Sequence, residues 1–246
     1  MTASLAMYNR PELNLAHQQF WALIRQALIE RGISAPKTLS PRDDLMAVWT
    51  DPALVLAQTC GMPYRKFLHG KVNLVGTPHY GIVGCPPGFY NSVFVVRKED
   101  PRASLMDFHT AIFAYNEENS QSGYAAPLNH ATAQGVTFEQ RVQSFGHALS
   151  AEMVASKQAD IAALDAVTWG FITQFDALAN DLRVQETTTP PTPALPFITS
   201  IHHDPDLIFS ALTQALEQLD PIEKTALGLL DIINIPAADY LSVSDP

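Results

Sequence analysis

Two serines and a glycine sit where a strand hands over to a helix. The segment Tyr115-Asn116-Glu117-Glu118-Asn119-Ser120-Gln121-Ser122-Gly123-Tyr124 follows the apolar run Ala111-Ile112-Phe113-Ala114, which reads as a buried strand. It precedes residues 125–134, which read as a helix. The start of a helix has N–H groups without intrahelical acceptors and carries the positive end of the helix dipole. It suits an anion such as a phosphate or phosphonate. The same residues also fit a simpler task, because Ser120 or Ser122 can serve as an N-cap.

Other residues could join that site. His147, after Gly146, opens the next predicted helix, where an imidazole N–H can donate to a phosphoryl oxygen near neutral pH. It equally fits a surface histidine. Asp165 ends the apolar strand Asp160-Ile161-Ala162-Ala163-Leu164-Asp165 and can cap the helix that follows. Tyr90 comes straight after a Gly/Pro-rich loop over 81–88 and reads either as core or as the mouth of a cleft. Tyr8 ends the first predicted strand, residues 5–8, at the expected cleft edge. Thr59 lies in a small-residue turn over 58–64 that feeds a short helix. His202-His203-Asp204 has neighbouring side chains that rarely bind one metal together, so it reads as a helix cap and no metal is expected.

Composition narrows the classes. The 246 residues are 47% hydrophobic and 16% charged, enough for a sizeable core in one large or two small α/β domains. A net charge of -10 with 15 scattered Lys and Arg argues against a nucleic-acid partner. It does not forbid an anionic ligand, since helix starts and hydroxyls bind anions without cationic side chains. Apolar runs are too short to span a bilayer. Met1-Thr2-Ala3-Ser4 shows no basic, apolar or cleavage region of an export signal, so the sequence as it stands reads as cytoplasmic or as lacking its signal. Cys60 and Cys85 are too few for a disulfide scaffold and wrongly spaced for zinc, and one disulfide is expected only after export.

Strands and helices alternate along the chain. Phe20, Leu23, Ile24, Ala27 and Leu28 mark an amphipathic helix over about 11–31, stopped by Gly32. A helical turn is expected over 43–48 and strands over 54–57, 72–76, 90–97, 136–143, 160–165, 182–185 and 195–200. Helices are expected over 166–180 and after the caps Asp204 and Asp220, and Thr187–Pro193 reads as an extended connector. This alternation predicts βα units and mainly parallel sheets. The 90s strand and the 195–200 strand bracket a middle segment, which predicts one domain inserted in another: 1–94 with 195–246, and 95–194. Ligands of such folds sit at strand C-termini, in the cleft between the lobes.

At this point the sequence resembles the phosphate/phosphite/phosphonate-binding proteins of ABC importers, which have the type II periplasmic binding fold. The markers are residues 5–8, Gln58-Thr59-Cys60-Gly61 with Pro63-Tyr64, Gly88-Phe89-Tyr90-Asn91-Ser92-Val93, Asn119 to Tyr124, Gly146-His147 and Asp160 to Val167. The resemblance runs over nearly the whole chain. It implies two α/β lobes, each a mainly parallel sheet flanked by helices, a small oxyanion ligand in the cleft, an ABC permease as partner, a monomer and no cofactor. It places the anion on Ser120, Ser122 and Gly123. It adds His147, Tyr90, Asp165 and, from the first lobe, Tyr8 or Thr59 as ligand contacts. Gln121 stands where relatives carry a small residue, and the export signal usual in relatives is absent. A runner-up is a cytoplasmic enzyme of lyase or dehydratase type on the same scaffold, since Ser, His and Asp converge on one cleft. No Gly-x-Ser-x-Gly elbow supports it. A cytoplasmic ligand sensor is the third reading.

Overall fold

Leu54-Val55-Leu56-Ala57, Val93-Phe94-Val95-Val96 and Ile161-Ala162-Ala163-Leu164 are continuous apolar runs, and every one of these residues is buried. Such runs make strands covered on both faces. A computed structural model describes residues 1–41 and 44–246, so Asp43, expected in a helical turn, lies outside the described residues. Within them the strands are β1 (Thr2–Ser4), β2 (Leu54–Gln58), β3 (Val72–His79), β4 (Phe89–Tyr90), β5 (Ser92–Arg97) and β6 (Ile112–Tyr115). The later ones are β7 (Gln140–Gln143), β8 (Ile161–Asp165), β9 (Leu182–Thr187), β10 (Thr192–Pro193), β11 (Phe197–Ser200) and β12 (Asp231–Ile233). The helices are α1 (Asn14–Glu30), α2 (Leu45–Trp49), α3 (Gly61–Pro63), α4 (Ala126–Ala133) and α5 (His147–Ala155). They continue with α6 (Ala166–Phe175), α7 (Pro205–Gln218), α8 (Pro221–Leu227) and α9 (Ala237–Leu241).

The chain divides into two units, residues 1–83 with 193–241 and residues 84–192 with 242–246. The crossings expected at 94/95 and 194/195 therefore lie at 83/84 and 192/193, and a third follows at 241/242. The first is displaced because β5 is an inner strand of the second sheet, paired on both sides by β8 and β9.

The first unit carries the sheet β1-β2-β11-β3-β12. β1 and β2 are parallel, while β11 is antiparallel to both β2 and β3 and β12 is antiparallel to β3. The strand expected at residues 5–8 is a correction: the ladder is made by Thr2–Ser4, and the chain then turns, with the Asn9 N–H on the Ala6 carbonyl. Helix α1 buries Phe20, Trp21, Ile24, Ala27 and Leu28 and packs against α7 and α8. It ends on Gly32, whose φ of 77° lets the Gly32 and Ile33 N–H groups reach the Ile29 and Leu28 carbonyls. Tyr240 on α9 is fully buried; its hydroxyl lies 2.6 Å from Thr77 Oγ1 and donates to the Ala194 carbonyl. Burial pushes its phenol far above the ordinary value.

The second unit carries the sheet β7-β6-β8-β5-β9. β6 runs parallel to β7 and β8, and β5 opposes both β8 and β9. Alternate residues serve opposite faces. Phe94, Val96, Phe113, Ile161 and Ala163 join Phe108, Leu128 and Phe138 in one core. Val93, Val95, Ala114, Ala162 and Leu164 join Val154 and Ile172 in the other. The strand expected over 136–143 shrinks to β7, because Val136 and Phe138 are drawn into the first of these cores before the ladder begins. At one edge Arg97 and Arg102 clamp Asp160 at 3.0 and 3.2 Å, and Arg102 also holds Asp100 at 2.6 Å. Neither Cys60 nor Cys85 is in a disulfide.

Candidate functional site

β6 delivers the chain to the turn 116–119, and Ser120 then stops it in an extended conformation, φ -86° and ψ 128°. Its Oγ accepts from the Gly123 N–H at 3.0 Å, so the capping alternative holds for Ser120. A wide π-helical turn, Gln121–Ala125, follows and runs into α4. π-turns inside helices concentrate at functional sites. Ser120, Gln121 and Ser122 are all buried.

Ser122 is not a cap. Its Oγ lies 3.0 Å from His147 Nε2, across 25 residues of sequence. His147 is placed by α5, whose N-cap is Gly146, and by the loop before it. That loop is tied to the end of β6: the Ser144 N–H donates to the Tyr115 carbonyl at 2.8 Å and the Phe145 N–H to the Asn116 carbonyl at 3.0 Å. Ser144 Oγ is also 2.6 Å from Ser150 Oγ inside α5.

Gly123 is where these pieces meet. A Cβ there would overlap Asn116 Oδ1 and lie 3.1 Å from His147 Cε1. Only the absence of a side chain allows Asn116, the helix start and the imidazole to share this point. Asn116 Oδ1 is buried with no hydrogen-bond partner. Asn116 carries no signal in the sequence beyond its place inside the motif. Beside it the Tyr115 and Tyr124 rings pack at 5.1 Å, and burial together with Glu118 raises the Tyr115 phenol.

The remaining expected residues have contacts of their own. Asp165 is buried and in register with Ser92; its Oδ1 accepts from the Val167 and Thr168 N–H groups at 2.7 and 3.1 Å, which makes it the cap of α6. Tyr90 is a buried residue of β4 in the second unit. In the first unit Tyr8 packs edge-on against Tyr80, with ring centres 5.3 Å apart. Thr59 is fully buried; its N–H donates to the Pro196 carbonyl and its Oγ1 has no hydrogen-bond partner. Among the described residues no group of three His, Cys, Asp or Glu side chains could hold a metal. No described helix is long and apolar enough to cross a membrane.

What the second-unit cluster can do chemically is donate. The Ser122 hydroxyl and the His147 imidazole meet at 3.0 Å beside a helix start that Ser120 caps through the Gly123 N–H.

Comparison with known proteins bears on the fold and the family. No curated protein matches the sequence. Solved structures match the fold along nearly all of it. A binding-protein component of an ABC phosphonate transporter from Pseudomonas aeruginosa superposes with a TM-score of 0.72 at 16% identity, covering 98% of this chain and 82% of that one. PhnD1 from Prochlorococcus marinus, in complex with methylphosphonate, gives 0.71 at 16% identity, covering 97% and 93%. A protein of Xanthomonas citri bound to chloride gives 0.69 at 15% identity, covering 97% and 92%. The two-lobed α/β fold of periplasmic binding proteins is thus shown. Residues 56–243 also match the family described as ABC transporter, phosphonate, periplasmic substrate-binding protein. That family binds small ligands and works with a permease, so the protein is a solute-binding component and not an enzyme. The match takes in most of the sequence, and the chain belongs to the family of periplasmic substrate-binding proteins of phosphonate ABC transporters.

Proposed function

We propose that the ligand is a small oxyanion of phosphate, phosphite or phosphonate type, held at the start of α4 by Ser120, Ser122, the backbone at Gly123 and His147, and passed to the permease. The observation that carries this reading is the Ser122–His147 contact of 3.0 Å at a helix start. Hydroxyl and imidazole donors at the positive end of a helix suit a fixed anion. The methylphosphonate in the Prochlorococcus marinus protein and the chloride in the Xanthomonas citri protein are anions on the same fold, which supports the choice of class.

The test is calorimetry with phosphate, phosphite, alkylphosphonates and small carboxylates. A ligand at about 100 times its dissociation constant should stabilise the protein by about 2.7 kcal/mol. Replacing Ser120 and Ser122 together by Ala should cost about 1.5–3 kcal/mol of binding for each lost hydrogen bond to a charged ligand. Undiminished affinity in the double variant would move the site elsewhere.

A further inference from the structure

Helix α4 carries a second group of polar side chains, which the binding role above leaves unexplained. His130 is buried, yet both of its ring nitrogens are engaged. Nε2 lies 2.8 Å from Glu186 Oε1 on β9. Gln134, one turn further along α4, donates to the same carboxylate and lies 2.8 Å from Nε2. Nδ1 accepts from the Thr189 N–H at 3.1 Å. A carboxylate accepts and a backbone N–H donates, so these two partners specify a neutral ring with its proton on Nε2. The ring also packs against Phe94 of β5, with centres 5.9 Å apart. Among the described residues the charged group that faces His130 is Glu186; Gln134, Phe94 and Thr189 carry no charge.

Thr189 is where the bond to Nδ1 matters. The chain leaves the second unit at 192/193, and Thr189-Pro190-Pro191-Thr192 is the last stretch before that crossing. Two prolines fix two φ angles within it, so its course is set largely where Thr189 is held. The residue before is anchored separately: the Thr188 N–H donates to the Ser92 carbonyl at 2.8 Å, and Thr188 Oγ1 accepts from the Ser92 N–H at 2.9 Å. Neither bond depends on the charge of His130. The Thr189 bond does. A protonated ring carries N–H on both nitrogens and has no lone pair left to accept with. Its Nδ1–H would face the Thr189 N–H, while an acceptor, the Thr189 carbonyl, lies 3.4 Å from Nδ1. Protonation therefore exchanges one bond to Thr189 for the opposite one, and the backbone there must turn to make it.

We propose that His130 is a proton-operated latch on this crossing. Neutral, it pins Thr189 to α4. Protonated, it keeps Glu186 and lets go of the Thr189 N–H, so the stretch 189–192 gains freedom as pH falls through the titration of this histidine. The device acts on the connection between the units and holds for whatever solute the protein carries.

Nuclear magnetic resonance on the full chain between about pH 8 and pH 5 tests it, following the His130 ring and the amides of Thr188, Thr189 and Thr192. The Thr189 amide proton should shift in step with protonation of the ring and share its midpoint. The Thr192 amide, across the two prolines, should gain mobility over the same range. Thr188, held by Ser92, should stay as it was. Glu186→Gln should move the shared midpoint, since it removes the charge that faces the ring, and His130→Phe should leave the Thr189 amide indifferent to pH in this range. A Thr189 amide that stays fixed while His130 titrates overturns the latch, as does a ring that remains neutral down to pH 5. Movement of Thr188 together with Thr189 overturns it too, because the whole unit is then loosening in acid.

Discussion

Gly123→Ala isolates the constraint at the centre of the site. The backbone at Gly123 is outside the left-handed region, so alanine meets no conformational penalty there. Taken alone, the change should stabilise a helical turn by about 0.5–1 kcal/mol. Space decides otherwise. The new Cβ would overlap Asn116 Oδ1, lie 2.7 Å from Asn116 Cγ and lie 3.1 Å from His147 Cε1. The Asn116 amide must move, and its Oδ1 is buried, so it must displace packed neighbours to do so. Overpacking of this kind costs about 1–3 kcal/mol, which outweighs the helix gain. Because Asn116 Oδ1 accepts no hydrogen bond, Asn116→Ala should remove the obstacle without stranding a donor on that oxygen. In the Asn116→Ala background Gly123→Ala should therefore be neutral or mildly stabilising, giving a coupling near 2 kcal/mol. Native-state hydrogen exchange on β6 and α4 reads the second unit by itself and is the assay to use. An equal cost of Gly123→Ala in both backgrounds would refute the argument, because the penalty would then not come from Asn116.

Two further outcomes follow from contacts already described. Asp100 is held below the ordinary carboxylate range chiefly by its hydrogen bond to Arg102, and Asp160 is also lowered: burial pushes it up, but the Ile112 N–H, Arg97 and Arg102 together outweigh that. Depressed carboxylates stabilise the fold above their unfolded values near pH 4 and lose that contribution as pH falls through the lower folded values, so acid denaturation should begin below about pH 4 and be blunted in Asp100→Asn. Asp165→Ala should cost the second unit about 0.5–2 kcal/mol through loss of the α6 cap, measured by urea unfolding, while Asp165→Asn should recover most of it; full stability in the Ala variant would contradict the capping role.

What could be read from the sequence depended on how local its cause was. Helix α1 was legible because Phe20, Ile24, Ala27 and Leu28 repeat at helical spacing and Gly32 supplies the exit. The caps Asp204 and Asp220 were legible because their side chains bond residues two positions on. β5 and β8 were legible as apolar runs. β12 was missed, since three residues carry no usable period. Leu5-Ala6-Met7-Tyr8 reads as a strand because it is apolar, whereas the ladder is decided by β2, which pairs with Thr2, Ala3 and Ser4. At the site, the serine-glycine turn and His147 were nameable from type and position. The Ser122–His147 contact and the pressure of Asn116 on Gly123 were not, because the loop bonds that create them join residues about 29 positions apart.

The order of strands in the first sheet also sets a timetable. β2 and β3 are made early, yet they do not pair with each other; β11 must enter between them, and it is synthesised only after the whole of residues 84–192. Until Ser200 is available the first sheet is the pair β1-β2 with an exposed edge and a lone β3. The five-stranded sheet of the second unit is complete at Thr187 and takes no strand from outside residues 84–192. On a growing chain the inserted unit thus completes its sheet first, and the unit that begins the sequence finishes last, with its slowest step the docking of a central strand across roughly 120 residues of intervening chain.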